Sequence, residues 1–239
     1  MPYTDIGTTW QKLSLISGHA QRDPDFQFTS LAHLLNVDYL RDCYKSLNRN
    51  KAVGIDDVTW EDYGKELDEN LKLLVSRLKR KKYRPIPARR VYIPKSKTGK
   101  RPLGIPALEN KIVERGITWI LESIYEQDFL NCSYGFRPKR NCHQALKELN
   151  DLIMFRPVNH IVEADIKGFF DKVSHEKLME FVQIRIKDTT LLNLIKKFLK
   201  AGYIDDGVLV NPDSGTPQGS ILSPMLANIF LHYVFGHVV

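Results

Sequence analysis

Cysteine is scarce in this chain, whose 239 residues include three: Cys43, Cys132 and Cys142. The number is odd, and no two of them stand in the C-x-x-C spacing of zinc sites and redox motifs. We therefore expect reduced thiols, with neither a disulfide framework nor a zinc centre.

Long apolar runs are also lacking. No stretch approaches the roughly 20 apolar residues that cross a bilayer as a helix, and Met1–Trp10 lacks the pattern of a signal peptide. We expect a cytoplasmic protein with no membrane partner. The composition, 43% hydrophobic and 26% charged, suits one large core or two lobes.

Acidic residues are missing from one long segment. Residues 72–101 contain thirteen Lys or Arg and no Asp or Glu, and the whole chain carries a formal charge of +7. Such a segment is either a solvated face or a surface for a polyanion, and the interleaved Tyr83 and Tyr92 favour nucleic acid. The candidate contacts are Lys79, Arg80, Lys81, Lys82, Arg89 and Arg90.

The end of this basic segment predicts a β-hairpin. Prolines flank an apolar run at 91–93, a glycine-containing turn follows at 95–100, and residues 101–105 return as the paired strand. Lys95, Lys100 and Arg101 then lie near the tip, where they either contact a triphosphate or nucleic-acid backbone or form a solvated turn.

A second basic segment, Ser133 to Arg140, alternates aromatic and cationic residues. Arg137, Lys139 and Arg140 suit phosphate contacts while the aromatic rings stack on bases. A packed loop with both aromatic side chains inside explains the pattern equally well.

Asp165 follows a short β-branched run, 160–162, that we expect to be a strand. Gly168 then allows a turn, and Ser174 can cap a helix that begins near His175. A carboxylate at a strand end is well placed to hold a divalent metal against phosphate oxygens. Taken alone, one aspartate after a strand is more often a turn residue or a helix cap.

The segment 215–224 has the sequence GTPQGSILSP. Gly219 lets the backbone approach a ligand, and Gln218 offers both a donor and an acceptor. Ser223 can cap a helix that has Pro224 at its first position. Further helices are expected after Asp38, after a capping box at 59–62, and at 109–126, 143–155, 176–186 and 190–200, whereas residues 1–30 read as a loosely packed extension.

Five blocks of the chain together resemble the group II intron-encoded reverse transcriptases, also called maturases. The blocks, which occur in that family's order, are YIPK with KRPLGIP at 92–106, SYGFRP at 133–138, ADIKGFFD at 164–171, GTPQG at 215–219 and SPMLAN at 223–228. The resemblance implies an α+β, right-hand polymerase fold with fingers and a truncated palm of antiparallel strands and packed helices. It implies an N-terminal extension at 1–37, fingers with the basic hairpin at 38–114, a first part of the palm at 115–172, a second part of the fingers at 173–222 and a truncated palm helix at 223–239.

The same resemblance implies nucleotidyl transfer with two Mg²⁺ ions about 3.5–4 Å apart. Asp165 matches the first catalytic, metal-binding aspartate, and the carbonyl of Ile166 matches its backbone ligand. Phe170 matches the aromatic residue beneath the sugar. The remaining nucleotide contacts match Lys95, Lys100, Arg101, Gln218 and Gly219, whereas Asp171 is expected to be structural.

One departure limits the resemblance. The family's aromatic-Ala-Asp-Asp turn should follow the Pro-Gln-Gly block, but the chain ends at Val239, and Tyr203-Ile204-Asp205-Asp206 precedes that block in a hairpin turn. We therefore expect an incomplete Mg²⁺ site and a fragment that extends no primer.

Two functions follow from the resemblance. In the first, the parent protein is an RNA-directed DNA polymerase that uses a DNA primer and dNTPs and assists intron splicing and retrotransposition. In the second, the chain is a non-catalytic module that binds group II intron RNA. Apolar surface left open by truncation predicts a homodimer.

Overall fold

The computed structural model describes residues 8–94 and 99–236, which form an α+β fold. The helices among these residues are α1 Thr8–Arg22, α2 Val37–Ser46, α3 Trp60–Lys65, α4 Leu67–Lys79, α5 Leu108–Tyr125, α6 Cys142–Phe155, α7 Phe169–Lys172, α8 His175–Arg185, α9 Thr189–Leu199 and α10 Ser223–Phe235. The strands are β1 Ala88–Pro94, β2 Lys100–Ile105, β3 Tyr203–Asp205 and β4 Val208–Val210.

The sheet has the strand order β2-β1-β3-β4. β1 and β2 pair antiparallel from Arg89↔Ile105 to Pro94↔Lys100, which confirms the predicted hairpin. β1 pairs parallel with β3, and β3 pairs antiparallel with β4. The tip that contains Lys95 lies outside the described residues.

The core is organised around α5. The side chains of Ile112, Ile117, Ile120, Leu121 and Ile124 are fully buried, as the apolar spacing predicts. α5 contacts α1, α2 and α10, so it joins the amino-terminal helices to the last helix described. Burying these side chains stabilises the fold by roughly 1.5–3 kcal/mol each.

The amino-terminal segment corrects the prediction of a loose extension. α1 buries Leu13 and Ala20, and the rings of Trp10 and Trp119 lie 4.8 Å apart. Arg185, which is 1% exposed, donates to the carbonyls that follow α1 and pairs with Asp128 at 3.2 Å. The prediction missed this packing because glycine, aspartate and proline punctuate the segment.

The predicted strand at 160–162 does not form, since residues 157–166 have no regular secondary structure. No described strand pairs with them, and an isolated extended segment gains no ladder hydrogen bonds. Ile161 and Val162 are 67% and 91% exposed. The hairpin turn at 205–207 is confirmed, with Asp206 and Gly207 at φ values of 46° and 83°.

Two helix starts differ from prediction by one or two residues. Asn36, and not Asp38, caps α2 by accepting a hydrogen bond from the Tyr39 N–H. α10 begins at Ser223 itself, with Leu222 at the cap position. The predicted caps of α3 and α8, Thr59 and Ser174, are confirmed.

α6 forms as expected but buries none of its residues. Its apolar positions recur at helical spacing, so the pattern indicated a packed face. Instead Leu146, Leu149 and Phe155 are 62%, 48% and 80% exposed.

Within residues 8–94 and 99–236, no helix combines the length and the apolar character needed to cross a membrane.

Candidate nucleotide-binding site

The loop at 214–219 is fastened to the turn that follows Asp165. The Gly215 N–H donates to the Val173 carbonyl at 2.8 Å, and the Thr216 N–H donates to the Phe170 carbonyl at 2.7 Å. Gly215 has a φ of +88°, and a Cβ there would stand 2.8 Å from the Phe170 oxygen. Glycine is required because the two backbones are in contact.

The same loop is fastened to the basic hairpin on its other side. The Gly104 N–H of β2 donates to the Gln218 carbonyl at 2.6 Å. Gly219, at φ +108°, lies so close that a Cβ would be 2.1 Å from the Gly104 oxygen. The Pro-Gln-Gly loop therefore holds the hairpin and α7, which begins four residues after Asp165, in one fixed arrangement.

Three side chains form a continuous hydrogen-bonded chain across this junction. Arg101 Nε donates to Gln218 Oε1 at 3.1 Å, and Gln218 Nε2 donates to Asp171 Oδ1 at 3.1 Å. The amide of Gln218 is thereby oriented, with its oxygen towards the guanidinium and its nitrogen towards the carboxylate. Arg101 and Asp171 are exposed and Gln218 is half-buried, so the chain faces solvent.

A buried carboxylate supports the loop from below. Glu114 on α5 is 3% exposed, and its Oε2 accepts the Ile221 N–H at 2.8 Å. Burial raises the pKa of Glu114 to about 7, against the opposing effects of the Ile221 and Ser220 hydrogen bonds and the charges of Lys111 and Arg115.

Two aromatic rings line the approach to the loop. Phe170 is half-buried and meets Phe136 edge-to-face at 6.5 Å between ring centroids. Phe136 is 72% exposed, and Asn228 Nδ2 fixes its loop by donating to the Gly135 carbonyl at 2.8 Å. Of the two sequence interpretations, the packed loop therefore does not hold for Phe136.

Asp165 and Ile166 are both exposed, on the segment that precedes Gly168. A carboxylate and a backbone carbonyl are hard oxygen ligands of the kind that Mg²⁺ takes. Within residues 8–94 and 99–236, no three His, Cys, Asp or Glu side chains group as a metal site. The donor set therefore fits part of a Mg²⁺ site and does not complete one.

The predicted nucleic-acid contacts divide into exposed and engaged residues. Lys79, Arg80, Lys81 and Lys82 are exposed, as are Lys100 and Lys139. Arg89 pairs with Asp57 at 3.3 Å, and Arg90 lies 3.8 Å from the centroid of the Tyr203 ring. Arg140 is half-buried and donates to the Asn131 carbonyl at 2.5 Å.

Arg137 is a correction to those contacts. It is 7% exposed, and its guanidinium binds both oxygens of Glu126 and the carbonyls of Leu130 and Ser133. With its donors directed at protein acceptors, Arg137 holds the 130–137 loop on the end of α5 and is not placed to contact phosphate.

Two residues of the site were missed or undervalued by sequence reasoning. Glu114 lies one helical turn before Ile117 and Thr118 on the buried side of α5. An acidic residue on a buried helix face is unusual, and that position was the feature of the sequence that could have identified it. Asp171 was expected to be structural, and its bond to Gln218 gives that role a specific form. No local pattern connects residues 47 positions apart.

Comparison with known proteins fits this arrangement. Residues 93–238 match the family described as reverse transcriptase (RNA-dependent DNA polymerase). The chain belongs to the reverse transcriptase family. This match includes Arg101, Asp165, Phe170 and Gln218, and the family assignment confirms the resemblance read from the sequence blocks.

The relatives of this chain include intron-encoded proteins. It is 43% identical over 225 residues to the group II intron-encoded protein LtrA of Lactococcus lactis subsp. cremoris, covering 92% of this chain and 37% of LtrA. It is 38% identical over 221 residues to protein YkfC of Escherichia coli K12, covering 89% of this chain and 58% of YkfC. The chain thus spans from about a third to somewhat over half of these relatives.

A solved structure shares the fold. A chain of the partial Cas6-RT-Cas1–Cas2 complex superposes with a TM-score of 0.55 at 19% sequence identity, covering 85% of the present chain and 34% of the chain in that complex. At this identity the likeness supports the fold alone, and it agrees with the predicted fingers and palm.

Proposed function

We propose that this reverse transcriptase domain binds the incoming nucleotide for RNA-directed DNA synthesis at the junction of the basic hairpin, the Pro-Gln-Gly loop and the Asp165 segment. The observation that carries the proposal is the chain of bonds Arg101–Gln218–Asp171. It joins a cation and an oriented amide to the carboxylate of Asp171, six residues after Asp165, and a cation beside a hydrogen-bonding amide suits a nucleoside triphosphate.

Each residue has a role that its surroundings support. Arg101, with Lys100 beside it on β2, contacts the triphosphate through a planar, always charged guanidinium. Gln218 packs on the nucleotide, and Asp171 fixes its rotamer as a positioning residue. Phe170 lies beneath the sugar, and Gly219 allows the backbone to come close because it has no Cβ.

Asp165 and the Ile166 carbonyl would hold Mg²⁺. The ion, when bound, supplies charge stabilisation at the phosphate and activation of the attacking 3′-oxygen. Two-metal catalysis needs further carboxylates, and among the described residues no three His, Cys, Asp or Glu side chains group as a metal site. We therefore expect residues 1–239 alone to bind primer and template without extending the primer.

A second function is RNA binding without chemistry, with group II intron RNA as the partner and splicing as the outcome. The supporting observation is the exposed, acid-free cationic surface at 79–82. The names of the relatives refer to intron-encoded proteins and, in Arabidopsis thaliana, to an intron maturase, 30% identical over 95 residues (40% of this chain and 13% of that protein). The two functions are compatible, since one surface can bind RNA while another binds nucleotide.

Self-association is also proposed. Six large apolar side chains of α6 are between 42% and 80% exposed, and the helix buries no residue. An apolar face of this length favours a homodimer in which two copies of α6 cover each other.

The direct test uses a chimera in which this chain replaces the aligned segment of LtrA, called here the LtrA-length polypeptide. The measurement is Mg²⁺-dependent primer extension on an RNA template. We expect extension with Asp165 present and none with Asp165→Ala, while RNA affinity is unchanged. Full extension by the Asp165→Ala protein would overturn the polymerase assignment.

A further inference from the structure

A large groove lies between α9 and the chain that leaves α4. Its volume is about 1110 Å³, which exceeds the roughly 300–1,000 Å³ of typical small-molecule sites. Its residues come from the end of α4 and the proline-rich segment before β1, from α9 and Leu209 of β4, and from the segment 32–36 before α2. We call it the α4–α9 groove.

The charged side chains of the α4–α9 groove are all cationic. Six of the residues that line it are basic, and none is Asp or Glu: Lys79, Lys81, Arg84, Lys196, Lys197 and Lys200. None of the six forms an ion pair with any residue in the described part of the chain. Apart from Lys197, whose Nζ donates to two backbone carbonyls, these side chains are open to an anionic ligand.

The floor of the groove is apolar. It is made by Leu78, Pro85, Pro87, Leu194 and Leu209, and Leu209 is 51% exposed. An apolar floor beneath a cationic rim matches a single strand of nucleic acid, whose bases are flat and apolar on their faces and whose backbone is anionic.

One of the six cations is fixed in position by the fold. Lys197 Nζ donates to the carbonyls of Lys81 and Tyr83 at 2.8 and 2.7 Å, which joins α9 to the opposite wall. Lys196 and Lys200 are four residues apart and lie on one side of the helix end. Both are exposed.

Lys81 occupies a position that usually belongs to glycine. It follows the end of α4 at φ +59°, where the Lys81 N–H donates to the Leu78 carbonyl and the Lys82 N–H to the Arg77 carbonyl. This is the helix-ending motif in which glycine is favoured because a left-handed backbone strains a residue with a Cβ. A lysine here brings charge to the groove wall at the expense of local stability.

We propose that the α4–α9 groove binds single-stranded RNA, with phosphates on the lysines and bases over the apolar floor. The proposal rests on the RNA-binding role given above and deepens it. It extends that role from the basic segment at 72–101 to lysines at the end of α9, which form the opposite wall of the groove.

The experiment measures anisotropy of a labelled uridine oligonucleotide of roughly 16 nucleotides between about 50 and about 200 mM KCl. The double variant Lys196→Ala/Lys200→Ala should bind about tenfold more weakly and reduce the slope of log K against log salt by about 1.4. Lys45→Ala/Lys187→Ala, which removes the same charge at exposed positions outside the groove, should bind as wild type does.

Lys81→Gly separates binding from folding. It should lower the salt slope by about 0.7 while the unfolding midpoint stays the same or rises, because glycine relieves the left-handed backbone. A groove variant that titrates like the Lys45→Ala/Lys187→Ala control overturns the groove and leaves RNA binding elsewhere intact.

Wild-type protein that shows no salt-dependent RNA binding overturns both the groove and the RNA-binding role. Tighter binding of polyglutamate than of the oligonucleotide overturns RNA as the occupant. The single-strand assignment is overturned if Lys196→Ala/Lys200→Ala weakens binding of a blunt RNA duplex as much as it weakens binding of the oligonucleotide.

Discussion

Arg101 and Gln218 lie 117 residues apart in the chain and are joined by a hydrogen bond of 3.1 Å from Nε to Oε1. The bond connects the basic hairpin to the Pro-Gln-Gly loop, and Asp171 holds the other end of the same amide. The candidate site therefore depends on the fold that aligns three distant segments.

The close approach of Gly219 to Gly104 gives the first prediction. Gly219→Ala forces a Cβ to within 2.1 Å of the Gly104 oxygen, so the loop or β2 must move. We expect the free energy of unfolding to fall by about 2–4 kcal/mol in urea denaturation. Gly207→Ala is the matched control, because Gly207 has a φ of +83° but a Cβ there would have nothing within 4 Å. Its free energy of unfolding should fall by about 1 kcal/mol. Equal losses of stability in Gly219→Ala and Gly207→Ala would show that the close approach to Gly104 adds nothing to the backbone strain.

The second prediction concerns Asp171 as a positioning residue. Asp171→Ala leaves Gln218 Nε2 without its acceptor, so the amide becomes free to rotate. In the LtrA-length polypeptide we expect the KM for dNTP to rise about tenfold with little change in RNA affinity. Asp171→Asn, which keeps an acceptor oxygen, should restore most of the loss. An unchanged KM for dNTP in Asp171→Ala would show that Asp171 does not position Gln218.

Glu114 gives the third prediction, a pH dependence of stability. Its pKa is raised from 4.5 to about 7 in the folded protein, so the native state binds more protons than the unfolded state between these values. This contribution to stability is fully present below about pH 4.5 and is lost as the pH rises through about 7. Glu114→Gln keeps an acceptor for the Ile221 N–H and should remove about 2–3 kcal/mol of that pH dependence.

Glu122→Gln is a second test of the same effect. Burial also raises the pKa of Glu122 to about 7, so its replacement should remove a pH dependence of the same sign. Unfolding followed by denaturant between about pH 5 and about pH 8 compares the two variants. A Glu114→Gln profile parallel to wild type would contradict the assignment.

The fourth prediction tests self-association through α6. We expect a dimer at tens of micromolar in sedimentation and a monomer in Leu149→Glu/Phe155→Glu, because both side chains are exposed and their charge disrupts an apolar contact. Leu15→Glu/Leu73→Glu alters side chains that are 66% and 60% exposed and should leave the dimer intact. Monomeric wild-type protein would refute the proposal.

Sequence reasoning was most successful where one segment carries its own signal. The apolar spacing of α5 predicted its buried residues, and prolines with a basic turn predicted the β1–β2 hairpin, because period and turn chemistry are local. It failed at 160–162, since a β-branched run becomes a strand only when another strand pairs with it. α6 shows the same limit, because periodicity reports an apolar face and not what covers it.

The site was predicted in part for the same reason. Family blocks indicated Arg101, Phe170 and Gln218, and their assigned roles remain predictions. The bonds that join these residues, and the support from Glu114, depend on contacts between distant segments. Arg137 illustrates the converse, since a cation among aromatics suggested a phosphate contact, whereas Glu126 and two carbonyls already bind it.

The most direct test of the central claim is the affinity of the LtrA-length polypeptide, with primer and template bound, for dNTP in the presence of Mg²⁺. We predict that Arg101→Ala and Gln218→Ala each weaken dNTP binding about tenfold or more. We also predict that the dNTP affinity of Asp165→Asn no longer depends on Mg²⁺, and that EDTA lowers the dNTP affinity of the unaltered chain to that of Asp165→Asn. Wild-type dNTP affinity in all three variants would contradict the claim that these residues form one nucleotide site.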